Sequence, residues 1–226
     1  GAKTLCFNHV ESGLKKVLGV DKSPNTMDEL LSTNVILVFG YIMEKNPVVQ
    51  LKLKQAAENG AKIYVINPVG VEVVNFDFAE KVIYTGNNLD ALKEIAKYLV
   101  DEKDNLSLTN LLELKKSLEN VFVSDEIKEV ASAYNNAKKA MIVFQENVLS
   151  VDAATMIGNI ALVSNHIGAP RDGIVQIKGK NNSQGLVDMG IDKGIEEMAN
   201  VKALLCFGED PCVLGDDILD NLEFVM

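Results

Sequence analysis

Cysteine and histidine are scarce in this 226-residue chain, which has three of the first and two of the second. Cys6, Cys206 and Cys212 form no paired-thiol motif, and with only His9 and His166 beside them a four-ligand structural zinc site is not expected. An iron–sulfur cluster held by this chain alone is not expected either, because it would take about four thiolates. An odd, unpaired cysteine count points to a reducing, cytoplasmic compartment. No apolar run reaches transmembrane length and the start lacks a signal-peptide layout, so direct membrane insertion is not expected. Positive charge is short as well: the net charge is −10 and no Lys/Arg cluster offsets it, which argues against a nucleic-acid partner. There is no P-loop lysine motif, and no G-x-G-x-x-G opens a helix, so a generic nucleotide-binding α/β protein has little specific support.

What is present is a core. Hydrophobic residues make up 47% of the chain and charged residues 24%, enough for one large or two modest globular domains. Asn34 to Gly40 is an unbroken apolar run, the mark of a strand covered on both faces. Pro47 suits the first turn of a helix that runs to about Asn59 and stops at Gly60. Lys62–Asn67 and Val82–Tyr84 read as further strands, followed by a helix from Leu89 to Val100. The charged stretch Asp101–Lys139 is helical by the spacing of its leucines, and Ala140–Phe144 restarts the strand pattern. Ala153–Ser164 is an apolar helix, and Ala203–Gly208 reads as another buried strand. The alternation predicts a Rossmann-like α/β/α fold with a mostly parallel sheet.

One stretch breaks all periodicity. From Ile177 to Gly190 the chain packs three glycines, two adjacent asparagines, a glutamine and an aspartate behind the β-branched run Ile174–Ile177. Glycine lets backbone amides approach a ligand closely, and amide side chains offer both donors and acceptors. A loop at the carboxyl end of a parallel strand is where open α/β sheets bind ligands. The same composition also suits a solvated turn, which is the commoner outcome in an arbitrary protein.

Gly179, Asn181, Asn182, Gln184, Gly185, Asp188, Met189 and Gly190 match a pattern G-Q-N-N-x-Q-G-x-x-D-M-G. This segment resembles the molybdopterin oxidoreductases, among them formate dehydrogenases, nitrate reductases and the G subunit of NADH:quinone oxidoreductase (an NADH dehydrogenase). Val35–Pro47, Gly60–Pro68, Gly158–Gly173 and Phe207–Pro211 are similar to further family stretches in the same order. The resemblance implies molybdopterin guanine dinucleotide carrying molybdenum or tungsten. It implies Cys6 as metal ligand and Lys178 at a substrate-orienting position. It also implies cofactor contacts at Gly40, Asn67, Gly86, Gly179, Asn181, Asn182, Gln184, Gly185 and Asp188.

The chain departs from the family at several of these places. Phe7 stands where formate dehydrogenases have a histidine, and a phenyl ring moves no protons. Lys178 replaces an arginine, losing the planar two-point grip on a carboxylate. Ile42 replaces an asparagine, Asn67-Pro68-Val69 stands for D-P-R, and Asn87 and Asn88 leave no aligned acid after Gly86.

The resemblance therefore implies a middle fragment of a large subunit that takes part in redox electron transfer, with an eroded cofactor site and no catalysis of its own. The alternative is a working molybdenum or tungsten bis-pterin enzyme for formate or a similar small substrate. The implied partners are the rest of the large subunit and iron–sulfur or NADH-oxidising subunits. Residues 1–170 are expected to form one α/β unit and 171–226 the start of a second, incomplete lobe, whose unpaired strands imply a homo-oligomer.

Overall fold

The structure, a computed structural model, describes residues 13–40, 46–73, 75–103, 111–145, 149–191, 201–208, 210, 212, 219–220 and 222–226. Its first compact unit runs through Lys178 and its second comprises the described residues from Gly179 onward. In the first unit five parallel strands form one sheet: β1 (Val35–Phe39), β2 (Lys62–Pro68), β3 (Lys81–Thr85), β4 (Ala140–Gln145) and β5 (Gly173–Ile177). Their order across the sheet is β3-β2-β1-β4-β5. Strand order reverses between β1 and β4, which defines a switch point at the carboxyl edge.

The layers follow from the strands' side-chain alternation. Val35, Leu37 and Phe39 of β1, with Tyr64, Ile66, Ile142 and Phe144, pack into one core beneath α3 (Asn88–Asp101), α5 (Asp125–Asn135) and α6 (Val151–Ser164). Ile36 and Val38, with Ile63, Val65, Met141, Val143 and Val175, pack into the other beneath α2 (Pro47–Glu58) and a 3-10 turn over Met27–Ser32. β1, β4 and β5 thus bury both faces along their whole length and β2 along its centre, as their continuous apolar runs require, while outer strand β3 buries only Ile83 and leaves Tyr84 exposed. Full burial of one such side chain contributes about 1.5–3 kcal/mol. The expected Rossmann-like α/β/α layering is observed. Among the described residues, no helix is long and apolar enough to cross a membrane.

Local signals set the helix ends. Pro47 opens α2, and Gly60 follows its end at φ 97°, where a side chain would be strained. Asn87 caps α3, accepting the Asp90 N–H at 2.8 Å. Ser150 does the same for α6, whose last turn closes on Asn165 in the left-handed region at φ 64°. Two short helices, α1 (Leu14–Leu18) and α4 (Leu111–Ser117), complete the first unit. Gly158 of α6 lets α1 come close, since a Cβ there would lie 3.1 Å from Val17 Cβ.

At the amino edge of the sheet a buried polar cluster ties four elements together. Asp172 accepts from the Ala140 N–H at 3.0 Å and pairs with Lys139 at 3.2 Å. Its other neighbour is His166 Nδ1 at 2.6 Å, while His166 Nε2 meets the Tyr134 carbonyl at 2.9 Å. The Tyr134 ring stands edge-on to the imidazole, and burial raises the pKa of its hydroxyl.

In two places the structure differs from the sequence expectation. β5 pairs with β4, so the first unit extends to Lys178 rather than changing at 170–171. The run from Ala203 to Gly208 is not a buried strand. Only Ala203–Leu204 (β6) is extended, paired in parallel with Phe224–Val225 (β7), and Leu205 and Phe207 are exposed. Among the described residues this sheet has two strands, and beyond the buried Leu204 the apolar run is open to solvent. The second unit also holds α7 (Ser183–Asp188).

Candidate functional site

The carboxyl edge of the parallel sheet collects four of the candidate residues. Gly40 follows β1 at φ 87°, buried, in a conformation that favours glycine. Gly86 follows β3, exposed, with open space where a Cβ would sit. Asn67 lies near the end of β2 and is 1% exposed. Its amide oxygen and nitrogen are buried, and among the described residues neither has a hydrogen-bond partner. Orphaned buried amides are costly, about 1–3 kcal/mol for each group left unpaired. The residues directly after these strands, Val69, Gly86 and Asn87, carry no positive charge, and Val69 is 72% exposed. Asn87 is engaged with α3, its Nδ2 donating to Asp90 at 2.6 Å.

Lys178 follows β5 at the same edge. Its ammonium lies 3.5 Å from Asp21 Oδ1, and the two side chains are only 12% and 3% exposed. Asp21 also accepts from Gln176 Nε2 at 3.1 Å. Asp21 carried no signal in the sequence beyond being one acid in a loop. Gln145 was also missed. It ends β4 at the switch point, is 3% exposed, and accepts from Asn46 Nδ2 at 3.5 Å. A buried amide after an apolar run was the available clue.

The remaining candidates belong to the second unit. Asn182 takes the left-handed conformation at φ 59° and starts α7. Its amide oxygen lies only 2.1 Å from where a Cβ on residue 185 would stand, which explains glycine at Gly185. Gln184 Nε2 donates to Asp188 Oδ1 at 2.9 Å across one turn of α7. Asn181 is exposed, and Gly179 lies in a bend after β5. The asparagine-rich stretch is therefore a turn leading into a short helix. Cys6, Phe7 and Ile42 lie outside the described residues. Among the described residues, no group of three or more His, Cys, Asp or Glu is placed to hold a metal ion.

A parallel α/β sheet with small and amide residues at its carboxyl edge defines the class, and comparison with known proteins narrows it. The chain is 26% identical to F420-dependent formate dehydrogenase 2 subunit alpha of Methanococcus maripaludis, over 79% of this chain and 29% of that protein. It is equally 26% identical to formate dehydrogenase H of Escherichia coli, over 79% of this chain and 28% of that one. The chain is also 24% identical to the assimilatory nitrate reductase catalytic subunit of Bacillus subtilis, over 82% of this chain, and it spans under a third of the length of these three relatives. No family model matches it. In fold it is similar to a chain of the formyltransferase/hydrolase complex FhcABCD from Methylorubrum extorquens. That likeness has a TM-score of 0.59 and 10% identity, over 96% of this chain and 69% of the other.

Proposed function

We propose that the chain is the sheet domain of a molybdopterin-oxidoreductase-like large subunit, that it supports redox electron transfer, and that it is not catalytic by itself. The observation that carries this reading is the buried Lys178–Asp21 pair. The position where the family resemblance implies a cation for a substrate carboxylate already has a carboxylate of its own. The cofactor fit is partial. The orphaned amide of Asn67 suits the edge of a heterocycle, with one donor and one acceptor. The dinucleotide's phosphates find no cation directly behind β2 or β3 among the described residues. The residues present therefore fit part of a pterin guanine dinucleotide and not the whole.

In this reading the domain acts within a longer cytoplasmic subunit, next to iron–sulfur and NADH-oxidising partners. A second reading is favoured by Asn67 alone: an amide without a partner suits a bound ligand, which would make the parent a working molybdenum or tungsten enzyme with Cys6 on the metal. The test is formate-dependent dye reduction by the whole native subunit, beside a Cys6→Ala variant. The proposal expects no formate oxidation in either. Turnover that disappears with Cys6 would overturn it in favour of the second reading.

A further inference from the structure

β5 is an outer strand of its sheet, and such an edge exposes unpaired N–H and C=O groups. Here the segment from Asp21 to Asn25 meets that edge with side chains. Asn25 Oδ1 accepts the Ile174 N–H at 3.2 Å. The Ser23 hydroxyl accepts the Gln176 N–H at 2.7 Å and donates to the Gln176 carbonyl at 3.1 Å. Asp21 takes the Gln176 side-chain amide at 3.1 Å, and the same carboxylate oxygen faces the Lys178 ammonium at 3.5 Å. The clamp thus ends by placing a carboxylate against a cation at the ligand edge of the sheet.

A buried ammonium needs a counter-charge, because an uncompensated charge away from water is strongly destabilising. We infer that Asp21 is a built-in carboxylate that fills the anion place beside Lys178 and closes it to small external carboxylates such as formate. The inference deepens the proposed function and rests on it for the meaning of position 178. Its physical content, however, is the contact between Asp21 and Lys178. Truncating Asp21 to alanine removes the carboxylate and leaves Lys178 in place. The vacated space then matches a free monocarboxylate of formate size, and a ligand that binds only the folded state raises its stability in proportion to occupancy.

The experiment is thermal unfolding of the full 226-residue chain in sodium formate, against sodium chloride of equal ionic strength. Wild-type protein should respond alike to the two salts. Asp21→Ala should melt lower in chloride and regain that loss in formate, with saturation in the millimolar range. The double variant Asp21→Ala/Lys178→Met should show no formate-specific gain. If Asp21→Ala does not fold in chloride, refolding yield in formate against chloride gives the same reading. Identical behaviour of Asp21→Ala in both salts would overturn the inference, as would a formate-specific gain in wild type. The first result would leave the redox reading to metal and pterin content, whereas a formate-specific gain in wild type would count against that reading as well.

Discussion

Replacing Gly173 by alanine puts a methyl group into occupied space. The added Cβ would lie 2.0 Å from Asn25 Oδ1 and 3.1 Å from its Cγ, so Asn25 has to leave. In leaving it gives up three contacts: the buried Ile174 N–H at 3.2 Å, the Ala169 carbonyl at 3.1 Å and the Glu29 carboxylate at 2.9 Å. A buried N–H left unpaired costs about 1–3 kcal/mol, and each of the other two hydrogen bonds adds about 1 kcal/mol. Gly173→Ala should therefore destabilise by about 3–5 kcal/mol, read as a lower urea midpoint at unchanged slope. The mechanism is sharper than the magnitude. Asn25→Ala removes the same contacts without a collision, so the double variant should cost little more than Asn25→Ala alone. The two changes should be non-additive by about 3–5 kcal/mol, the whole cost of Gly173→Ala. A Gly173→Ala protein within about 0.5 kcal/mol of wild type, or a strictly additive double variant, would refute the argument.

Two other changes follow from the same clamp and from the sheet edge. Hydrogen bonds from the Thr26 backbone, aided by the Arg171 backbone and by Asn25, hold Glu29 down to a pKa of about 2. The unfolded chain then takes up this proton near the ordinary value of 4.5 while the folded chain resists it to about 2. Glu29 therefore adds stability above that ordinary value and loses it as pH falls through the window between the two. Acid titration of stability should show this loss, and Glu29→Gln should flatten it. Separately, Asn67→Leu exchanges an orphaned buried amide for an apolar side chain of similar size. In protein without a bound nucleotide it should stabilise by about 1–3 kcal/mol in urea unfolding, and a loss of stability would mean that the amide has a partner.

The sheet was legible because its strands advertise their surroundings. A run such as Val35–Phe39 or Ala140–Phe144 has no polar face, so both faces must be covered, and the structure covers them with helices. The edges of α2 were legible from Pro47 and Gly60, whose backbone chemistry is local. The β5 clamp was not. Asp21, Ser23 and Asn25 alternate at a spacing of two, as a strand's side chains do, yet their partners lie about 150 residues away in sequence. The pairing of β5 with β4, Gly173 opposite Met141, spans α6 and likewise has no local signal at 170–171. Ala203–Gly208 misled for the opposite reason: an apolar run says what a chain can bury, not whether anything is there to bury it, and Phe207 is 85% exposed. Of the candidate site, the sequence named Asn67 and Lys178, but their state depends on neighbours in space. One has an amide without a partner among the described residues, and the other has a carboxylate from a distant loop.

The most direct measurement is the molybdenum, tungsten and pterin content of the whole subunit purified from its native cell. The account predicts no metal of either kind and no pterin at stoichiometric level, because Lys178 is matched internally and the phosphates lack a cation directly behind β2 and β3 among the described residues. One metal per chain together with a guanine-nucleotide pterin would contradict it.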